Sequence, residues 1–146
     1  QSALKATSYD REILSMIINK MKKAHQHEDP TEEAESDFEF HMAIIESAHN
    51  IVQLHIMKSL FSLLSEGIFF NRDILYHRKG VRDLLLQQHL NVYKAIISRD
   101  PEKSKKAMQK HLIYSRDGVI ELMEVKNREV VAEKRLNRIK NKKFIV

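Results

Sequence analysis

The sequence predicts an all-α fold, an antiparallel bundle of five to six helices joined by short connections. Three observations carry that prediction. Apolar residues recur at three- and four-residue spacing through most of the 146 positions. Glycine and proline number only three and two, too few for the many turns of a sandwich or barrel. No segment alternates in the manner of a strand.

The elements follow in order. A helix is expected from Ser8 to about His25, with Asp10 in its first turn and Ile13, Met16, Ile17 and Met21 as its apolar stripe. His27 to Thr31 breaks it: Pro30 cannot continue a helix, and Thr31 can cap the next, followed by Glu32 and Glu33. The second helix should run to about Ala48 with Phe38, His41, Ile44, Ile45 and Ala48 along one side, and His49-Asn50 reads as its turn. A long third helix is expected to bury Ile51, Leu54, Ile56, Leu60, Leu64 and Ile68, bending at Gly67 and ending near Asp73 or Tyr76. After a loop at 77–80, Leu84, Leu85, His89, Val92, Tyr93 and Ile96 mark a fourth helix ending near Ser98. Asp100-Pro101-Glu102 is a cap followed by proline at the first helical position. The fifth helix carries Ala107, Met108, His111, Leu112, Ser115 and Val119 and can run on into the tail.

Composition narrows the function. The absence of cysteine excludes disulfides, thiolate metal sites and cysteine nucleophiles, and suits a reducing cytoplasm. No 18-residue apolar run is present, so no membrane association is expected. The net charge of +5 is unevenly placed. Residues 126–146 hold eight basic and two acidic side chains, leaving residues 1–125 at −1. The sequence thus divides into a nearly neutral helical domain, 1–125, and a basic helical tail, 126–146, and the domain offers no basic face for a phosphate backbone. Glycine-rich phosphate loops, the Gly-x-Ser-x-Gly elbow and His-Glu-x-x-His are all absent.

Eight histidines are the unusual feature. Asp37 and His41 are four apart, so a helix puts them on one face beside apolar neighbours. His89 interrupts the apolar face of the fourth helix, and His111 that of the fifth. Three helices meeting in a bundle can gather this carboxylate and these imidazoles into a metal site, a donor set that suits zinc, nickel, iron or manganese. A lone histidine on an apolar face is more often a hydrogen-bonded core residue, and a metal-free hydrogen-bond network or a hydrolase with metal-activated water are the competing readings. His25 and His27 at a helix end, His55 on an outer face and His77 in a loop read as bland.

Three runs, in order, resemble a known family. Asp37-Phe-Glu-Phe-His41 through Ala48-His-Asn50, His89 through Asp100, and Ala107-Met-Gln-Lys-His111-Leu112 are similar to the signatures of the C-terminal effector domain (FCD) of GntR-family repressors of the fatty-acid-regulator subfamily. Glu46 to His55 and Leu75 to Arg78 are most similar to members that repress the pyruvate dehydrogenase complex, and lactate-responsive members share much of the pattern. The resemblance implies a homodimeric regulatory domain, not an enzyme, that binds a small carboxylate effector of the pyruvate or lactate class. It places metal ligands on Asp37, His41, His89 and His111, with zinc expected ahead of nickel or manganese. Arg72 is a candidate to pair with the effector carboxylate, and Asn50 a candidate to line the cavity or to cap a helix. Operator DNA would be bound only through an N-terminal winged-helix domain that these residues do not include, and residues 1–6 would be the end of a truncated first helix.

Overall fold

In the computed structural model, residues 1–60 and 80–142 are described, and every element among them is a helix. They are α1 (Ser2–Lys5), α2 (Ser8–Gln26), α3 (Pro30–Glu46), α4 (helical over 51–60), α5 (Val81–Ile97) and α6 (Pro101–Lys142). Packing divides the chain into a unit spanning Gln1–Ile113 and a second spanning Tyr114–Val146, a boundary set by contacts and distinct from the charge boundary at 125/126.

The first unit is built on α2, which packs against both α3 and α5, while α1 lies on α5. Its core joins Ala6 with Leu14, Ile18 and Met21 of α2, Phe40 and Ala43 of α3, and Val92 and Ile96 of α5; Ala107 and Met108 of α6 pack against it. On α2 the buried stripe is Leu14, Ile18, Met21 and Ala24, whereas Ile13 and Met16 are 49% and 67% exposed. The expected stripe was therefore rotated, for a visible reason. Stepping by three or four from Ile13 and Met16 reaches Lys20 and Lys23, while stepping from Leu14 stays apolar to the end of the helix.

α2 starts at Ser8 as expected, but the caps of α2 and α3 are residues the sequence reading did not name. Thr7, one residue before the expected Ser8 start, caps α2 in a reciprocal box: its Oγ1 accepts from Asp10 N–H at 3.2 Å and its N–H donates to Asp10 Oδ2 at 2.7 Å. Asp29, in place of Thr31, caps α3, with Oδ1 accepting from Thr31 and Glu32 N–H groups at 3.0 Å and Pro30 inside the first turn. Proline there loses nothing, because its missing N–H would have no helical partner.

The corner before α6 repeats that design. Arg99, like Glu28, takes φ of 54°, and Asp100 accepts from Lys103 N–H at 2.9 Å. Each corner closes with the paired bonds of a left-handed helix end: Asp29 N–H to Ala24 O and Asp100 N–H to Ala95 O, both 3.1 Å. At the end of α3 the left-handed residue is His49 (φ 49°), whereas Asn50 caps α4 by accepting from Gln53 N–H at 3.1 Å. The apolar residues Ile51, Ile56 and Leu60 of α4, expected inside, are 64%, 55% and 43% exposed. Leu84 of α5 (40%) and Leu112 of α6 (53%) are exposed likewise, each sitting beside the buried face and off it. Leu64, Gly67, Ile68, Arg72 and the segment Leu75 to Arg78 lie outside the described residues. Among the described residues no helix is long and apolar enough to cross a membrane.

Candidate metal centre

The buried face of α3 is unusually polar. Glu33, Ser36, Asp37, Phe40 and His41 all point inward, and of these Glu33, Asp37 and His41 follow one another at four-residue steps. Facing them, α5 presents Leu85, Gln88, His89 and Val92, and α6 presents His111. Burying this many polar groups costs free energy unless they find partners, and here they converge on one another, with His89 Nδ1 left without a partner among the described residues.

Asp37, His41, His89 and His111 each offer a ligand atom, and these atoms all lie within 4.8 Å of one another. Asp37 Oδ1 is 2.8 Å from His89 Nε2 and 3.2 Å from His41 Nε2. His41 Nε2 and His111 Nε2 are 3.1 Å apart. His89 is 1% exposed and His111 3%. Phe40 stands edge-on to His89, with ring centres 5.4 Å apart, and forms an apolar wall. All four side chains singled out in the sequence are thus brought together.

The chemistry of this donor set fits a divalent cation. His111 Nδ1 lies 3.1 Å from Gln88 Oε1. A carbonyl oxygen can only accept, so the proton sits on Nδ1 and the Nε2 lone pair turns toward His41 and the centre of the cluster. Fixing a ligand's tautomer through its second nitrogen is how metal sites orient imidazoles. One carboxylate and three imidazoles enclosed away from water suit a metal that takes oxygen and nitrogen ligands.

The other predicted residues fall elsewhere. Asn50 is at the start of α4 with its carbonyl oxygen engaged by Gln53, and Arg72 is outside the described residues. Glu39, two residues from Asp37, is half-exposed and pairs with Lys20 at 2.8 Å. That contact raises the Lys20 pKa, chiefly through the hydrogen bond.

Sequence reasoning missed three residues around the cluster and misread one. Gln88 was one, next to His89. The others are Glu33 and Arg82, which form a fork-to-fork ion pair: Arg82 Nε donates to both Glu33 oxygens at 3.0 Å and Nη2 to Oε1 at 2.6 Å. The Glu33 bond raises the Arg82 pKa further above its ordinary value. His25, read as a bland helix end, joins them, with Nδ1 3.1 Å from Glu33 Oε1 and Nε2 2.9 Å from Asp83 Oδ1. The available signals were the step from Glu33 to Asp37 and the two-turn step from Arg82 to His89.

An all-helical bundle that encloses a His-and-carboxylate cluster in its interior has the architecture of a domain that holds a metal between its helices. Comparison with known proteins makes this specific. Residues 1–113 match the FCD domain model, and the chain belongs to that family. It is 34% identical over 113 residues to the putative L-lactate dehydrogenase operon regulatory protein of Escherichia coli K12, covering 77% of this chain and 42% of that protein. It is 28% identical over 114 residues to the Glc operon transcriptional activator of the same organism (76% and 45%), and 29% identical over 112 residues to the HTH-type transcriptional regulator LutR of Bacillus subtilis 168 (76% and 50%). The chain spans half or less of the length of these relatives. They are GntR-type transcriptional regulators and not enzymes, so the hydrolase reading is set aside.

Proposed function

We propose that this chain is the ligand-sensing and dimerisation domain of a bacterial GntR-type repressor, acting in the cytoplasm and binding a small carboxylate of the pyruvate or lactate class together with a divalent metal. The observation that carries the reading is the buried convergence of Asp37, His41, His89 and His111. These four residues would hold the metal, zinc ahead of nickel or manganese, and when bound it supplies positive charge for carboxylate and keto or hydroxyl oxygens. Arg72 would pair with the effector carboxylate. Asn50, whose carbonyl oxygen is engaged by Gln53 N–H, would offer its amide N–H₂.

The effector class is supported by the L-lactate name of one relative and by the likeness of Glu46 to His55 to pyruvate dehydrogenase repressors. Effector binding would favour one arrangement of the helices over another, and that difference in affinity would reach operator DNA through a separate DNA-binding domain. Two chains are expected to associate, read by sedimentation. The direct test is calorimetric titration of pyruvate and of L-lactate into zinc-loaded and chelator-treated protein. One acid should bind only when zinc is present. Equal binding after chelation removes the metal from effector recognition, and no binding of either acid overturns the carboxylate reading.

A further inference from the structure

His89 is the most enclosed of the three imidazoles, and only one of its ring nitrogens faces the cluster. Nε2 is 2.8 Å from Asp37 Oδ1. Nδ1 is buried with no hydrogen-bond partner among the described residues, whereas His111 Nδ1 has Gln88. A buried ring nitrogen left unsatisfied is costly and calls for a partner. A small pocket of about 10 Å³ is lined by Met21, His25, Glu33, Arg82, Leu86 and His89 and by none of the other three cluster residues, which puts it on the side of His89 away from the cluster. This is close to the least space that seats one water, and four of its six lining residues are polar. Glu33 Oε2 accepts from Arg82 Nε alone among the described bonds, so it retains accepting capacity.

We propose that the Glu33–Arg82 pair positions His89 through a single buried water, which accepts from His89 Nδ1–H and donates to the Glu33 carboxylate, so that Nε2 is presented to the metal. Glu33 and Arg82 are positioning residues: Arg82 holds the carboxylate in place, and the water transmits that constraint to the ring. The proposal rests on the metal reading above.

The test is zinc affinity, by competition with a chromophoric chelator, together with melting of the metal-free chain. Replacing both charges by apolar residues (Glu33→Leu with Arg82→Leu) removes the water's acceptor without leaving a lone buried charge. Zinc affinity should fall by about 10- to 100-fold, while Asp83→Asn, which touches only the exposed end of the network, should leave it unchanged. A double variant that melts like wild type without metal and binds zinc as tightly overturns the proposal. Wild-type chain that binds no zinc overturns the metal reading and this inference with it. Should the double variant not fold, ring-nitrogen NMR of the zinc-loaded wild type decides. A slowly exchanging His89 Nδ1 proton with a cross-relaxation contact to bound water is expected, and an Nδ1 proton lacking that contact refutes it.

Discussion

At the scale of single residues, the site depends on side chains that never touch its centre. Gln88 fixes which nitrogen of His111 carries the proton, so Gln88→Met should keep the fold while lowering zinc affinity by about 10- to 100-fold, measured by chelator competition. A second residue-scale prediction concerns Asp10. Burial raises its pKa, but the larger combined pull of the Thr7 hydrogen bonds and the His49 contact holds it below the ordinary value of 3.8. His49 Nε2 lies 2.8 Å from Asp10 Oδ2 and ties the end of α3 to the start of α2. A lowered folded-state pKa means stability that is present above the unfolded value and lost as pH falls through the folded one. The stability difference between wild type and Asp10→Asn should therefore hold at neutral pH and close below about pH 3.8, as followed by urea midpoints across an acid series. The four clustered residues were legible because three motif runs carry all of them and Asp37 and His41 share a helical face. Glu33 and Arg82 were not, because periodicity assigns each to a face without saying that side chains 49 positions apart meet.

At the scale of elements, the two corners Glu28-Asp29-Pro30 and Arg99-Asp100-Pro101 share an Asp-Pro pair and divide three jobs in the same way. The first residue turns left-handed, the aspartate caps, and proline starts the next helix. The second corner was read correctly from the sequence, while in the first the capping role was given to Thr31, because a proline was taken as a break instead of a first-turn residue. The left-handed conformation costs a non-glycine residue about 1–2 kcal/mol, and glycine recovers part of it. Arg99→Gly should stabilise the chain by about 0.5–1 kcal/mol, seen as a higher urea midpoint with an unchanged slope. Gly80, with φ of 82° at the start of α5, is the converse: a Cβ there would meet nothing within 4 Å, so Gly80→Ala should lose about 1 kcal/mol from backbone strain alone. The face of α2 was misjudged because two apolar stripes start side by side, and only their continuation beyond Lys20 separates them. The exposed residues of α4 could not be foreseen, since hydrophobicity says that a face wants cover and not which element provides it.

At the scale of the molecule, everything that defines the site lies within residues 1–113, the same span that matches the FCD family. The net positive charge resides instead in 126–146, which leaves residues 1–125 at −1 and without a net positive field suited to DNA. The polar interior of that unit makes sense as a trade. Glu33, Asp37, His41, Gln88, His89 and His111 occupy volume that a purely structural bundle would fill with apolar side chains. A bound cation would offset that cost, and the chain's stability should therefore track metal. The measurement that bears most directly on this is the melting temperature of the chelator-stripped chain with and without zinc, alongside Asp37→Ala and His111→Ala. Zinc at 100 times its dissociation constant should add about 2.7 kcal/mol to the wild type and nothing to either variant. A wild-type melting temperature that zinc leaves unchanged would contradict the account and leave the four residues as an internal hydrogen-bond network.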